Sequence, residues 1–503
     1  MGVVPASPDW DEAAIGYNAY SILHTGRDEY GTYLPLTFRS FDDYKPPLYV
    51  YVTVPSIYLF GLSVWAVRLP SAIFGVLAVL GTYYLVRELF KQHERVAILS
   101  SLLLAISPWH IQFSRSAFEA NLGVTFVVWA TYFFLRGLTS SAGLVVSAVL
   151  FALSLYTYHS ERIFVPLFVI FLSTTYRRVL FPAKKSSVFL AFVIGVIIVL
   201  PLVRVFTDAN VLKRLQGTSV FRQKTELLSG TIPKLEYDRS LGWWPGELFD
   251  NRRIEYVKIL TSGYLSHFSP KWLFLSGDHE RHHAPNMALL YLWEMPFILI
   301  GIYQLIRQKS RSGALLLGWS LLAPIAAAPT TEVPHAVRTL VSLPTYPIFT
   351  AIGIVSVIPK LRSPAIIGLA AVIIASFVYY VHMYFAHTNI DYAKYWQYGY
   401  EQAVSYAQKN KSHYTKVVVS TKLEQPYIFF LFYSKFDPQT YLSLGGSLTG
   451  NFDNYEFRQI DWNSEKPENS ILYIGTPAEI PAVAHVDILY PDGSPAMRIA
   501  TKK

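Results

Sequence analysis

Long apolar runs separated by short polar segments make up most of the chain between residues 67 and 385. A helix needs about 20 mostly apolar residues to cross the hydrocarbon core of a bilayer. By this measure the pattern predicts about ten membrane-spanning helices. Their predicted ranges are 67–88, 96–112, 117–135, 142–157, 162–176, 187–206, 287–306, 313–329, 337–358 and 364–385.

The loops between these runs differ in charge, and the difference predicts their sides of the membrane. Lys and Arg are enriched in cytoplasmic loops of membrane proteins. Four of the short loops are basic, and Arg136, after the predicted span 117–135, is a weaker indication of a cytoplasmic position. Placing the basic loops inside puts residues 1–46, the long loop 207–286 and everything after about residue 386 on the outside. The basic loops are "RELFKQHER" (87–95), "YRRVLFPAKKS" (176–186), "RQKSRS" (307–312) and "PKLRSP" (359–364).

One more apolar segment, "LYVYVTVPSIYLFG" (48–61), is too short to span and contains Pro55. If it crossed the membrane, the side of every later loop would invert. We therefore predict an interfacial or re-entrant helix, and its tyrosines suit a membrane boundary. The N-terminus is then outside, so the topology predicts that a first span is missing from the chain as given.

The pattern changes after residue 385, where the long apolar runs end. Residues 391–411 have the pattern of an amphipathic helix, and "EQPYIFFLFYSKF" (424–436) that of a buried helix. Segments 414–423 and 469–476 are rich in β-branched and aromatic residues and are predicted to be strands. Strands that alternate with helices are typical of a small α/β domain.

The predicted fold class is therefore an all-α polytopic membrane protein with a small, soluble α/β domain at its C-terminus. The transmembrane part is predicted to cover residues 1–385, and the α/β domain residues 386–503 on the external side. Within the first part, residues 1–66 form the first external loop with interfacial helices, and residues 207–286 form a large external loop.

Composition supports a membrane protein and excludes several kinds of site. Only 15% of residues are charged, against about 25% in soluble proteins. The net charge of +9 follows from the basic cytoplasmic loops, and without a basic patch interleaved with aromatics we expect no nucleic-acid partner. The absence of cysteine excludes disulfides, thiolate metal sites and cysteine nucleophiles.

Two charged groups stand out near the N-terminus. Asp11 and Glu12 are adjacent acids, which commonly stabilise the first turn of a helix. Lys45 precedes two prolines where the loop meets the membrane. It could extend its ammonium group to the interface as many lysines do, or bind a lipid phosphate.

Further charged groups stand at predicted external span ends. Arg115 and Glu119 have the i,i+4 spacing of a helical ion pair, but an acid at the start of a span is costly and tends to be functional. A tight turn holds His159 and Arg162, and His335 and Arg338 open a late span. Clustered cations at a membrane entrance suit phosphate binding.

The run "HERHH" (279–283) is a weak metal-site candidate, because it lacks the H-E-x-x-H spacing. We predict no metal site, and the sequence requires no cofactor, although a divalent metal stays open. There is no Walker motif, G-x-G-x-x-G or G-x-S-x-G. The charged groups fit attack by an acceptor hydroxyl on a lipid-phosphate sugar, with a carboxylate as base and cations stabilising the leaving phosphate.

The segments "DWDEAAIGY" and "YKPPLYVY", followed by "LFGLSVWAVRLPSAIFGVL", resemble GT-C-type glycosyltransferases over about residues 9–350. They are similar to bacterial relatives of the dolichyl-phosphate-mannose protein mannosyltransferases and of the aminoarabinose transferases that modify lipid A. The resemblance implies that Asp11, beside Glu12, is the catalytic base and that Lys45 contacts the lipid phosphate. Family members also have one more span before the acidic pair.

The same resemblance implies roles for further residues. Glu119 corresponds to a second acid, and His335 and Arg338 to cations that open a late span. Arg162 and the "HHAP" segment match more loosely. We take Asp11, Glu12 and Glu119 as catalytic candidates. The candidates for lipid phosphate are Lys45, Arg115, Arg162, His335 and Arg338, and those for sugar or acceptor contacts are Tyr17, Tyr44, His159, His282 and His283.

These observations predict an inverting glycosyltransferase in the bacterial plasma membrane. It would move a sugar from a polyprenyl-phosphate donor to a hydroxyl of a protein, glycolipid or cell-envelope polymer on the external or periplasmic side. The alternative is a transporter or flippase of a lipid-linked sugar, which would place charges along a cavity at mid-membrane depth. A structural or sensory membrane protein is a third interpretation.

Overall fold

The computed structural model describes residues 2–41, 43–207, 220, 229–448, 450–482 and 485–502. Parts of the predicted external loop, residues 208–219 and 221–228, lie outside the described residues. Helices dominate the N-terminal half. They are α1 Trp10–Thr25, α2 Leu48–Phe60, α3 Val64–Leu89, α4 Glu94–Ile106, α5 Pro108–Arg115, α6 Glu119–Gly137, α7 Ser141–Ser154, α8 Glu161–Thr175, α9 Arg177–Val199 and α10 Leu202–Thr207.

The second half is also mainly helical up to residue 391, and beyond it helices occur together with strands. Its α-helices are Thr231–Ser240, Trp244–Phe249, Arg252–Ser266, Glu294–Gln308, Arg311–Leu322, Thr345–Val357, Ser363–His382, Thr388–Asp391, Tyr400–Lys409, Pro426–Ser434 and Pro438–Ser443.

Three helical stretches among the described residues are long and apolar enough to cross a membrane. They are Val64–Leu89, Leu340–Lys360 and Ser363–Asp391, and α4 with α5 would make a fourth if this bent pair is one span. The count of about ten spans therefore stays a prediction.

Several predicted spans are interrupted, and the cause is local backbone geometry. The expected helix 96–112 breaks between α4 and α5, whose axes differ by 58°. Ser107 at the break is extended because it precedes Pro108, and a residue before proline avoids the helical region. The expected helix 187–206 likewise breaks before α10, next to Pro201.

Segment 48–61, predicted to be an interfacial or re-entrant helix, is helical over α2, and Pro55 lies inside the helix. The amphipathic helix predicted over 391–411 is wrong in its first half, because the regular helix starts only at Tyr400. Gln397 and Gly399 have positive φ angles of 42° and 108°, which no α-helix accommodates.

The C-terminal region contains five strands, β3 (Lys416–Val419), β4 (Tyr455–Phe457), β5 (Glu468–Gly475), β6 (His485–Leu489) and β7 (Pro495–Lys502). They form one sheet in the order β4-β3-β5-β7-β6. β3 pairs in parallel with both β4 and β5, and β7 runs antiparallel to β5 and β6. The predicted strands correspond to β3 and β5, and the predicted buried helix to Pro426–Ser434.

This sheet region shares a hydrophobic core with α1 and α2. Helix Pro426–Ser434 packs directly on α1, where a Cβ atom on Gly16 would lie 2.6 Å from the ring of Phe432. The Tyr17 hydroxyl donates a hydrogen bond to the Phe436 carbonyl over 3.2 Å. The predicted boundary after residue 385 therefore separates two regions that are packed on each other.

Candidate active site

Three residues that are far apart in the sequence meet around one ammonium group. Lys45 Nζ lies 2.8 Å from Asp11 Oδ1 and 3.5 Å from Glu119 Oε1. Lys45 ends β2 (Asp43–Lys45), which pairs with β1 (Phe38–Ser40), and α2 begins after the two prolines that follow. The hairpin and the prolines thus fix where this lysine stands against the first turns of α1 and α6.

Lys45 stays charged in this position. Burial favours the neutral amine, but the carboxylates of Asp11 and Glu119 outweigh it and raise the pKa of Lys45 above its usual value. The two carboxylates differ in access. The Asp11 side chain is 37% exposed, whereas that of Glu119 is 9% exposed. Asp11 is thus the carboxylate that an incoming molecule can reach.

The neighbouring acids of α1 point into the protein. Asp9 caps the helix by accepting a hydrogen bond from the Glu12 N–H, and its other oxygen lies 2.8 Å from Arg281 Nη1. Glu12 is buried and binds Arg68 through both carboxylate oxygens. It also accepts a 2.7 Å bond from the Ala117 N–H. Glu12 therefore fixes the start of α1, and both oxygens of its carboxylate are engaged by Arg68.

The i,i+4 pairing of Arg115 with Glu119 is wrong, because the helix breaks between them. Arg115 ends α5 and Glu119 begins α6. The Arg115 guanidinium lies over the rings of Tyr384 and Phe385 and donates to the Tyr384 hydroxyl over 3.3 Å. The break leaves Glu119 to contact Lys45.

A chain of contacts joins the Lys45 loop to Arg162. A guanidinium can only donate, so Arg162 Nη1 donates to His159 Nδ1 over 3.3 Å. The other ring nitrogen, Nε2, then carries the proton and donates to the Tyr44 carbonyl over 3.0 Å. Arg162 Nε also donates to the Leu155 carbonyl. His159 thus holds Arg162 near the peptide that precedes Lys45.

An apolar cavity of about 560 Å³ lies among α6 to α9. Leu155, whose carbonyl binds Arg162, lines it together with side chains of α6 to α9. The walls are almost wholly apolar and include Phe151, Val165, Val196 and Val199. Leu155 therefore links the contacts of Arg162 to a hydrocarbon-lined space.

The remaining predicted residues gather elsewhere. Arg338 donates to Thr330 Oγ1 over 2.7 Å and lies 3.9 Å from Glu332. His335 and His282 are in ring contact, with centroids 5.1 Å apart. Burial lowers the pKa of both imidazoles, so His335 is neutral near pH 7.

Two predicted contact residues are buried away from open space. Tyr17 is in the core that α1 shares with the C-terminal region. The His283 imidazole forms a hydrogen bond with the Ala284 carbonyl through Nδ1 and lies against the ring of Tyr392.

Sequence reasoning missed three charged residues. Arg68 is fully buried and holds Glu12, Arg281 holds Asp9, and Asp278 lies 3.2 Å from His282. Arg68 gave a signal, because an arginine inside an apolar run needs a partner. The other two sit in a polar loop, where a charge carries no such signal.

The comparisons with known proteins agree on one fold. Residues 44–204 match the family model described as dolichyl-phosphate-mannose-protein mannosyltransferase. ArnT of Cupriavidus metallidurans, solved bound to undecaprenyl phosphate, is 13% identical with a TM-score of 0.55, over 97% of this chain and 92% of that one. No curated protein matches the sequence.

The Archaeoglobus fulgidus oligosaccharyltransferase, solved in complex with Zn and sulfate, is 14% identical with a TM-score of 0.53. The match covers 93% of this chain but only 64% of that protein. The expected resemblance is confirmed: the chain has the fold of the GT-C-type membrane glycosyltransferases and, over residues 44–204, the sequence pattern of their mannosyltransferase family.

Proposed function

We propose that this protein transfers a sugar from a polyprenyl-phosphate donor to an acceptor hydroxyl. The single observation that carries the proposal is Lys45 held between Asp11 and Glu119, with contacts leading through His159 and Arg162 to Leu155 in the wall of an apolar cavity. A polyprenyl-phosphate sugar has the same order of parts: a sugar, an anionic phosphate and a long hydrocarbon chain.

In the proposed reaction Asp11 removes the proton from the acceptor hydroxyl. The acceptor oxygen forms a bond to the anomeric carbon while the bond from that carbon to the phosphate oxygen breaks. The electron pair of the broken bond leaves with the polyprenyl phosphate, and because the acceptor attacks from the opposite face the sugar configuration inverts. Lys45 and Arg162 stabilise the charge that develops on the leaving phosphate. Glu119 positions Lys45 through their 3.5 Å contact.

The comparisons support the donor class. ArnT was solved with undecaprenyl phosphate, and the matching family model is named for a dolichyl-phosphate-linked sugar donor. We further propose that the site faces the external side of a bacterial plasma membrane, because the basic loops would then lie in the cytoplasm. Protein, glycolipid and polymer acceptors are all consistent with the exposed Asp11 carboxylate.

The test uses the purified full chain in vesicles, with undecaprenyl-phosphate-linked mannose or aminoarabinose as donor. Release of undecaprenyl phosphate and appearance of acceptor-bound sugar are measured. We expect turnover with one of the donors and a loss of about 10²–10⁴-fold in Asp11→Asn, the usual contribution of a general base.

Asp461→Asn, at an exposed turn of the C-terminal region, is the matched control and should keep full activity. Near-normal turnover in Asp11→Asn, with none in Glu119→Gln, would move the base to Glu119. Movement of intact lipid-linked sugar across the vesicle without its consumption would favour the transporter instead.

A further inference from the structure

A second polar cluster lies between two segments that are 50 or more residues apart. Asp278, His282 and His335 each offer one ligand atom, and these atoms all lie within 4.8 Å of one another. The side chains of Asp278 and His282 are 7% and 8% exposed, and the His335 residue is 8% exposed. Buried groups of this kind normally have partners.

One buried polar side-chain atom of each residue has no hydrogen-bond partner among the described residues. They are Asp278 Oδ1, His282 Nδ1 and His335 Nδ1. The first two are 3.2 Å apart, but their contact misses hydrogen-bond geometry. Leaving one buried polar atom unsatisfied costs about 1–3 kcal/mol. Three such atoms within one cluster therefore indicate a ligand that accepts electron pairs from all of them.

We propose that Asp278, His282 and His335 bind a divalent transition-metal ion of the zinc class. Two imidazole nitrogens and one carboxylate oxygen are a usual zinc ligand set. Zinc–ligand distances of about 2.0–2.1 Å in a tetrahedron place ligand atoms roughly 3.4 Å apart. Asp278 Oδ1 and His282 Nδ1 are already 3.2 Å apart. The ligand atom of His335 lies within 4.8 Å of the other two ligand atoms, so it would need to approach them by at most about 1.4 Å.

A fourth ligand is available at the open side of the cluster. His279 and Glu332 form a second set of possible ligands together with His335, again within 4.8 Å. The His279 ring lies 5.3 Å from that of His282 and 5.6 Å from that of His335. The His279 side chain is 47% exposed, so it can turn toward the ion.

Contacts around the cluster orient the three ligands. Asp278 Oδ2 accepts a 2.6 Å bond from the Ala336 N–H, which directs the other oxygen inward. The His282 ring packs between Phe113 and Phe118, with centroids 5.6 and 5.8 Å away. Such outer contacts commonly tune metal affinity by 10- to 100-fold. The cluster is thus built for binding before any ion arrives.

The ion would fasten the turn 278–283 to the segment around His335. That turn also carries Arg281, which binds Asp9 at the start of α1, and Phe118 directly precedes Glu119. The ion therefore stabilises the scaffold around the Lys45 cluster and takes no part in the transfer chemistry. This assignment does not depend on the proposed function.

The experiment measures metal content and Zn²⁺ binding of the purified full chain in detergent, after chelation and readdition of Zn²⁺ alone. We expect about one Zn²⁺ per chain. His335→Gln and Asp278→Asn should weaken binding by more than about 100-fold, beyond the loss from outer contacts. His413→Gln, in the turn Lys411–His413, is the matched histidine control and should bind like the unchanged protein.

Co²⁺ in place of Zn²⁺ gives a readout that needs no variant, because a four-coordinate site produces intense visible absorption. Absence of stoichiometric Zn²⁺ in the unchanged chain, or a Co²⁺ spectrum of the hexa-aqua type, would overturn the assignment. So would folded His335→Gln protein with full Zn²⁺ affinity.

Discussion

Arg68 and Glu12 form a two-pronged ion pair inside the protein, with Nε–Oε1 and Nη2–Oε2 distances of 2.8 and 2.6 Å. The adjacent Asp11 instead contacts Lys45. Two consecutive acids of one helical turn thus bind different cations, and only one of the two is accessible. The pair that looks like one motif in the sequence divides into a structural residue and a candidate base.

The ion pair predicts that Glu12→Gln destabilises the protein. The amide keeps the shape of the side chain but leaves the Arg68 charge uncompensated in a buried position. Breaking one partner of a buried pair costs about 3–5 kcal/mol. We expect a large drop in the thermal midpoint of the detergent-solubilised protein, measured as loss of the monodisperse elution peak after heating.

The matched control is Glu247→Gln, which breaks the exposed pair with Arg239. Exposed ion pairs contribute about 0–1 kcal/mol, so its midpoint should hardly move. If Glu12→Gln were as stable as this control, Glu12 would not be the structural partner that the geometry indicates.

Patterns that are local in the sequence predicted the local structure well. The alternation of residue types located β3, β5 and the buried helix Pro426–Ser434, and the length and proline of segment 48–61 predicted α2. Boundaries failed where one backbone conformation decided them. The positive φ at Gln397 and the extended Ser107 leave no trace in the hydrophobic pattern.

The sequence predicted which residues form the candidate site, but not the contacts that each of them makes. The sequence and the family resemblance indicated Asp11, Lys45 and Glu119, which do meet in the structure. The resemblance assigned the base to Asp11, but the sequence did not show that Glu12 binds Arg68, 56 positions away. Spacing within one helix also misassigned Arg115, since the break before α6 is a tertiary feature.

The packing of α1 on the C-terminal region predicts that Gly16→Ala destabilises the protein. The added Cβ would lie 2.6 Å from Phe432 and 2.7 Å from Val67, so both side chains must move. Overpacking of this kind costs about 1–3 kcal/mol. The control is Gly368→Ala in helix Ser363–His382, where no atom lies within 4 Å and alanine favours the helix. Equal thermal midpoints for both variants would contradict the close packing.

Glu29, which accepts a hydrogen bond from Ser447 of the C-terminal region, should make the stability of the protein depend on pH. It is fully buried, and burial raises its pKa to about 7, although hydrogen bonds from Ser447 and Asn18 favour the charged form. Because the folded pKa exceeds the unfolded one, the native state holds more protons between about pH 4.5 and 7. The free energy of unfolding should therefore fall as pH rises through this window and stay level above it.

The measurement compares thermal midpoints of the unchanged chain and Glu29→Gln between pH 4.5 and 8. The glutamine cannot ionise, so the midpoint difference between the two proteins should vary with pH up to about 7 and then become constant. A difference that is the same at every pH would show that Glu29 does not change its protonation in this range.

Replacing Lys45 should weaken binding of the donor. Lys45→Ala removes the positive charge that faces Asp11 and Glu119, and the two carboxylates would then repel an incoming phosphate. A charge-assisted hydrogen bond contributes about 1.5–3 kcal/mol. At 1.4 kcal/mol per tenfold change, the Kd for undecaprenyl phosphate and the KM for the donor should rise by about 10- to 100-fold.

Lys45→Arg separates charge from geometry, because it keeps the cation on a larger head group. We expect it to retain more undecaprenyl phosphate binding than Lys45→Ala. Lys91→Ala is the matched control, since the Lys91 side chain is 71% exposed and pairs with Glu88. Binding is measured by titrating undecaprenyl phosphate into folded, monodisperse protein in detergent. An unchanged Kd in Lys45→Ala, or an equal loss in Lys91→Ala, would remove Lys45 from the phosphate site and leave Arg162, which binds the carbonyl of the cavity residue Leu155, as the next candidate.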